Sequence, residues 1–308
     1  MRAVFLGNAP WSVPSLEALA DSDHEVAAVI TRDPRPAGRG ERPRPTSVAE
    51  AARRLGLPLV ETPSAVRDEG LEALRTAAPE VLVVVAYGEI LPPEVLGLPR
   101  VAPVNVHLSL LPALRGADPV RRAILEGLET TGVTTMRMDE GLDTGPILLQ
   151  AQEPIRADDD AGSLGERLAG IGGRLLVQTL DGLEARTMEE RPQDHGAATT
   201  APKLKAEEEW IDWSRPAEEV VRWVRALSPE PGARTRFRGH LLKVLRATVG
   251  ERDGGSPGSV VEASRDRLVI AAGEGSVELD LVVPEGRKPM SGAAFARGRR
   301  PEPGERLG

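Results

Sequence analysis

The sequence predicts an α/β fold in two parts: a mostly parallel sheet with helices on both faces, then a small barrel of short strands. Three observations support this. Through the first 185 residues, short apolar runs alternate with segments of helical period, the pattern that builds parallel sheets through crossovers. From Glu207 onward the apolar runs become short strands set off by turn residues, which favours a barrel. Between the two, residues 186–206 are polar and hold Pro192 and Pro202, as expected of a linker. The expected boundaries are therefore residues 1–185, a linker at 186–206 and a second domain at 207–308.

Arg2 to Leu6 is an apolar strand stopped by Gly7, and Val13, Leu16 and Leu19 then recur as one helix face. The turn between them lacks G-x-G-x-x-G, so no dinucleotide site is inferred. Glu25 to Thr31 is a second strand. Arg32 to Pro45 is so rich in Pro and Gly that an irregular surface loop is expected, with Arg32, Arg35, Arg39, Arg42 and Arg44 in it. Ser47 to Leu55 reads as a helix, Leu57 to Val60 as a strand and Val66 to Thr76 as a helix. Val81 to Ala86 is an unbroken apolar run, suited to a central strand covered on both faces. It stops at Tyr87-Gly88-Glu89-Ile90-Leu91-Pro92, on the side where open α/β sheets place their ligands.

After a strand ending at His107, a helix is expected over Val120 to Leu128 and strands over Thr131 to Met138 and Ile147 to Ile155. Pro154 marks an edge or an ending. Leu164, Leu168, Ile171, Leu175 and Leu180 line an amphipathic helix that closes the first domain. In the second, Ile211-Asp212-Trp213 leads to a helix carrying Val220, Val221, Trp223, Val224 and Leu227. Strands are expected at 233–237, 241–249, 258–263, 267–272 and 277–283.

At 308 residues and 40% apolar content the chain buries a full core. It has no Cys, which excludes disulfides and thiolate chemistry. No apolar run approaches the roughly 20 residues needed to span a bilayer, and the lack of a cationic apolar leader points to a cytoplasmic protein. The net charge of −8 is unevenly spread: from Lys203 onward 19 Lys and Arg meet 17 Asp and Glu, leaving −10 on residues 1–202. Arg287, Lys288, Arg297, Arg299 and Arg300 form a local basic cluster able to meet phosphate, although a solvated surface fits the composition equally well.

The chemistry concentrates between Val101 and Gln150. Asn105 and His107 alternate with apolar residues at a strand end, so a donor and a base leave the same face. Asp139, Glu140 and Asp143 follow in a second, Gly-containing loop that is able to return a carboxylate to the first. An amide, an imidazole and a carboxylate suit attack of an amine on a carbonyl carbon. The amide donates to the developing oxyanion, the imidazole shares a proton and the carboxylate orients the imidazole. His24, His195 and His240 lack such company. The His residues are far apart in sequence and no H-E-x-x-H occurs, so no metal set is inferred; Ser109 lacks the G-x-S-x-G of a hydrolase elbow.

Asn105-Val106-His107, Ser109-Leu110-Leu111-Pro112 running on to Arg115-Gly116, and the downstream Asp143 resemble the folate-dependent formyltransferases in residue and spacing. Glu140-Gly141-Leu142-Asp143-Thr144-Gly145, the run from Asp33 to Gly40, Ile211-Asp212-Trp213-Ser214 and the run from Met290 to Gly298 are similar to the methionyl-tRNA formyltransferase branch. This resemblance implies a Rossmann-like catalytic domain, an OB-like second domain and Asp143 as the carboxylate of the trio. It implies direct transfer of a formyl group from 10-formyltetrahydrofolate to the α-amino group of initiator methionyl-tRNA, without a metal, a membrane or an obligate protein partner. It further implies a folate site at Tyr87, Gly88, Ile90, Leu91, Ser109, Leu110, Leu111, Pro112, Asp139 and Gly141. Contacts to tRNA are implied at Arg39, Arg42, Arg287, Lys288, Arg299 and Arg300, where the planar fork of arginine suits phosphate or a base edge.

Two stretches depart from the family pattern: Asn8-Ala9-Pro10 where Thr-Pro is usual, and Ala117-Asp118-Pro119-Val120-Arg121 after Arg115-Gly116. A formyltransferase acting on an amino sugar nucleotide shares Asn-x-His and Ser-Leu-Leu-Pro and is the alternative reading. A non-catalytic RNA-binding protein is the alternative of a different class.

Overall fold

The structure is a computed structural model that describes residues 1–37, 42–251 and 254–308. Its contacts divide the chain into two units: residues 1–119, 130–154 and 165–202 in the first, and 120–129, 155–164 and 203–308 in the second. Segments 120–129 and 155–164 thus group with the second unit, whereas the sequence boundary at residue 185 assigns them to the first.

The first unit begins β1 (Arg2–Gly7), α1 (Val13–Ala20), β2 (Glu25–Thr31), β3 (Arg35–Ala37), β4 (Arg42–Arg44), α2 (Ser47–Leu55) and β5 (Leu59–Glu61). It continues α3 (Asp68–Ala77), β6 (Val81–Val85), α4 (Pro93–Leu96), β7 (Ala102–His107), β8 (Thr130–Arg137), β9 (Ile147–Pro154) and most of α6 (Ala161–Glu184), while α5 (Pro119–Leu125), which precedes β8 in the chain, groups with the second unit. Seven strands form one sheet in the order β5-β2-β1-β6-β7-β8-β9. The first five run parallel, and β8 and β9 add antiparallel strands. The five residues of β6 are all buried, as a strand flanked on both sides and covered on both faces requires. The apolar run at 81–86 therefore marks the strand next to β7, which ends in Asn105-Val106-His107.

The segment from Arg32 to Pro45 is not wholly irregular. β3 and β4 pair antiparallel, with Pro36 opposite Pro43. In such a ribbon alternate pairs exchange no backbone hydrogen bonds, so two prolines facing each other cost the ladder nothing. Arg39, expected on this loop to meet tRNA, lies outside the described residues, and Arg42 lies on β4.

The second unit holds α7 (Ala217–Leu227), β10 (Ala233–Phe237), β11 (His240–Val249), β12 (Val260–Ala263), β13 (Leu268–Ala271), β14 (Ser276–Pro284), β15 (Met290–Ser291) and α8 (Gly292–Arg299). Its antiparallel sheet has the order β10-β11-β14-β13-β12, with β15 beside β14. The last residues join the two edge strands: Leu307 bridges Phe237 of β10, and Arg306 bridges Ser259 just before β12. Leu307 is buried with Trp213, Phe237, Val260 and Phe295 in the unit's apolar core. The edges, which are otherwise open donors and acceptors, are thereby paired.

Candidate active site

β7 positions the first two residues. It pairs with β6 on one side and β8 on the other, with Asn105 opposite Val84 and Met136 and His107 opposite Thr134. His107 is 6% exposed, and its Nε2 lies 3.0 Å from the carbonyl oxygen of Leu114. A carbonyl only accepts, so Nε2 carries a proton and donates it there, leaving Nδ1 toward the site. Leu114 presents this carbonyl from a left-handed backbone, φ +61°.

Asp143 returns to this face on the turn between β8 and β9. It too is left-handed, at φ +53°. Its Oδ2 accepts from the Gly116 backbone N–H at 2.8 Å and lies 3.7 Å from His107 Nδ1, and its Oδ1 accepts from Asn105 Nδ2 at 3.3 Å. The trio expected from sequence is thus assembled, with one difference. Leu114, not Asp143, makes the short hydrogen bond that orients the ring. The second amide proton of Asn105 has no part in the bond to Asp143 and is free to point at a substrate oxygen.

The loop after β7 is held from below. Ser109 is buried, and its hydroxyl donates to Ala113 O at 2.7 Å. Thr134 of β8 donates to Ser109 O and accepts from Leu111 N. Asp139 caps its own turn, accepting from Gly141 N at 3.1 Å and Thr144 Oγ1 at 2.7 Å. A methyl group on Gly145 would collide with the carbonyl of Arg137, so this turn demands glycine there.

The residues expected to hold folate divide into two kinds. The side chains of Tyr87, Leu91, Ser109 and Leu111 are buried in packing: Tyr87 and Leu91 share one apolar cluster flanked by Met138, while Leu111 packs with Met136 and Ile147. Leu110 packs over Gly132, and Pro112 offers its carbonyl to Thr199 N. Ile90 is 83% exposed and Gly88 is left-handed at φ +76°, so this turn presents backbone and an apolar side chain. Gly141 is exposed on the turn carrying Asp143, beside Leu142, which is 67% exposed.

Three features escape the sequence reading. Asn8 donates to Tyr87 O and accepts from Thr31 Oγ1 at 2.9 Å and Arg32 N at 2.8 Å, lacing the ends of β1, β2 and β6 together. Asp118 is buried with its N–H on Ala201 O, and Arg121 donates to Glu230 O within the second unit. Gln193 and His195, from the expected linker, both meet Arg115, which donates to Gln193 Oε1 and, at 3.2 Å, to His195 Nδ1. A polar segment without apolar period gives no sign of such packing.

Of the residues expected to meet tRNA in the second unit, Arg287, Lys288, Arg299 and Arg300 are all exposed. Arg287 and Arg299 line one cleft of about 380 Å³ together with Arg238 and His240. No sequence pattern marks Arg238, which sits alone in a strand turn and is held by a two-pronged ion pair with Glu305.

An amide and an imidazole at one strand end, met by a carboxylate from a neighbouring turn, suit attack of an amine on a carbonyl carbon. The formyl transferase profile matches residues 1–180 and the formyl transferase C-terminal domain profile residues 203–300. The chain belongs to this family, and within it to the methionyl-tRNA formyltransferases. It is 44% identical to the methionyl-tRNA formyltransferase of Heliobacterium modesticaldum over 317 residues, covering all of both chains. It is 45% identical to that of Pseudomonas paraeruginosa over 300 residues, covering 97% of this chain and 96% of the other. Among solved structures, an N-formyltransferase from Helicobacter canadensis, in complex with folinic acid and dTDP-3-aminofucose, has a TM-score of 0.67 at 19% identity, covering 91% of this chain and 98% of its own. HypX from Aquifex aeolicus, in complex with tetrahydrofolic acid, has a TM-score of 0.68 at 19% identity, covering 96% of this chain and 47% of its own. Both share the fold.

Proposed function

We propose that this chain transfers a formyl group from 10-formyltetrahydrofolate to the α-amino group of initiator methionyl-tRNA in the cytoplasm. The observation that carries the reading is the meeting of three side chains at one strand end: Asn105 donates to Asp143 at 3.3 Å, and His107 Nδ1 lies 3.7 Å from the same carboxylate. Full-length relatives of 44% and 45% identity that bear the name methionyl-tRNA formyltransferase support the choice of acceptor. The likeness to the N-formyltransferase in complex with dTDP-3-aminofucose extends to fold only.

In the proposed reaction the neutral α-amine attacks the formyl carbon and a C–N bond forms. The carbonyl electrons move to oxygen, where Asn105 and protonated His107 donate hydrogen bonds. The amine then gives up a proton, the oxyanion electrons re-form the carbonyl, and the bond to the folate nitrogen breaks as that nitrogen takes up a proton, so tetrahydrofolate leaves. An α-amine titrates near about 7.7–8.0, so a usable neutral fraction exists without a strong base. Positioning therefore carries much of the rate. Asp143 balances the charge of the imidazolium across 3.7 Å. Folate is proposed to lie along the turns of Gly88–Leu91, Ser109–Pro112 and Asp139–Gly141, and tRNA to meet Arg39, Arg42, Arg287, Lys288, Arg299 and Arg300.

The direct test supplies 10-formyltetrahydrofolate and compares initiator methionyl-tRNA with a panel of amino sugar nucleotides. Formylation confined to the tRNA is expected. Faster formylation of a sugar nucleotide than of the tRNA would overturn the assignment.

A further inference from the structure

Gln193 lies in the segment whose composition reads as linker, yet it is only 7% exposed. Its amide nitrogen donates to the carbonyls of Asp143 at 2.9 Å and Gly145 at 2.7 Å. Its amide oxygen accepts from Arg115 Nε at 3.1 Å and Nη2 at 2.7 Å. One side chain thus clamps the turn carrying Asp143 to the loop carrying Arg115 and Gly116. Its own backbone is anchored on both sides. Arg191 and Ile147 exchange N–H···O bonds of 2.9 and 2.8 Å, and Thr199 receives Leu114 N on its hydroxyl and Arg115 N on its carbonyl.

Asp143 needs such a clamp. A non-glycine residue at φ +53° is strained and persists only where its surroundings over-determine it. The carbonyl that Gln193 holds belongs to the residue whose carboxylate faces Gly116, Asn105 and His107. A turn relaxing toward ordinary φ would swing that carboxylate away from all three. Gly116 is the second end of the clamp: its N–H fixes Asp143 Oδ2, and its neighbour Arg115 grips Gln193.

We propose that Gln193 is a positioning residue for formyl transfer, placing the Asp143 carboxylate against Asn105 and His107 by tying its turn to the Arg115 loop. This rests on the role of Asp143 proposed above. Gln193 touches no reacting atom, so its effect must pass through Asp143.

Two variants separate its functions. Gln193→Met keeps the length and removes donor and acceptor together. Gln193→Glu keeps the shape and the acceptor for Arg115, but an ionised carboxylate cannot donate to the two carbonyls. Both should lower kcat by about 10- to 100-fold, the range set by small misplacements in a positioned site. The KM for 10-formyltetrahydrofolate should hold within about threefold. The pH dependence of kcat should move in the direction that Asp143→Asn moves it, which a merely structural defect would not do. Added to Asp143→Asn, Gln193→Met should cost almost nothing more, since both act through one carboxylate. If Gln193→Met and Gln193→Glu fold and stay within about twofold of the parent kcat while Asp143→Asn is slow, Gln193 has no such role and the site reading stands. Losses that multiply in the double variant would likewise overturn it. Full activity of Asp143→Asn would remove the site reading and this inference together.

Discussion

In the proposed reaction Asn105 and His107 donate to the charge that develops on the formyl oxygen, so their removal should act on the transition state more than on binding. Loss of one oxyanion donor typically costs about 10²–10³ in rate. Steady-state assays of Asn105→Ala and His107→Ala should show kcat falling on that scale with KM for folate little changed; folded variants of parental kcat would place the chemistry elsewhere. Tyr87 offers a different readout. Burial, with the Glu89 carboxylate adding to it, pushes its phenol from 10.0 up to about 12. A raised phenol pKa means the native state disfavours tyrosinate. The stability this contributes is complete below pH 10 and is lost as pH rises toward about 12. Because Tyr87 is the only tyrosine, its absorbance titration is unambiguous. Tyrosinate appearing in the folded protein at pH 10 would contradict the buried placement.

Elements with strong local signals are legible in the sequence. β2 and α2 match their expected spans because Thr46 caps the helix and a left-handed Gly56 ends it, and the run at 81–86 declares a central strand. Asn105 and His107 are legible for the same reason, alternation along β7. What the sequence hides is long-range and carried by backbone or single side chains. β3 and β4 are masked by prolines that pairing tolerates, the grip of Gln193 leaves no periodic trace, and α8 hides in a Gly- and Ala-rich segment capped by Ser291. The closure at Leu307 belongs to this second group. Its N–H donates to Gly258 O and the next N–H to Arg236 O, while its side chain, 3% exposed, fills the core. Leu307→Ala should cost about 2–5 kcal/mol of that unit's stability. Denaturant unfolding followed by tryptophan fluorescence would measure it, since Trp210, Trp213 and Trp223 all lie in the unit; an unchanged midpoint would mean the Leu307 side chain does not fill the core.

At the scale of the whole molecule, the question is how an acidic protein holds a polyanion. A net charge of −8 repels RNA at long range, and the −10 carried by residues 1–202 makes that part the poorer surface for phosphate. The second unit is different in local detail. Arg238, His240, Arg287 and Arg299 meet around one cleft, and of these Arg238 already spends its charge on Glu305. Arg287, Lys288, Arg299 and Arg300 are the exposed cations of this unit on which the proposed phosphate contacts rest. Each phosphate contact releases counterions, so affinity for methionyl-tRNA should fall steeply as salt rises. Arg299→Ala with Arg300→Ala should flatten the plot of log affinity against log salt by up to about 2 units, and weaken initiator and elongator methionyl-tRNA about equally, since phosphate carries no sequence. Arg39→Ala with Arg42→Ala should instead erode discrimination between the two tRNAs while folate binding stays intact. Binding titrations across a salt series resolve the two effects. An unchanged slope in the first variant would take the α8 end out of the RNA surface, and unchanged discrimination in the second would shift weight toward a sugar acceptor.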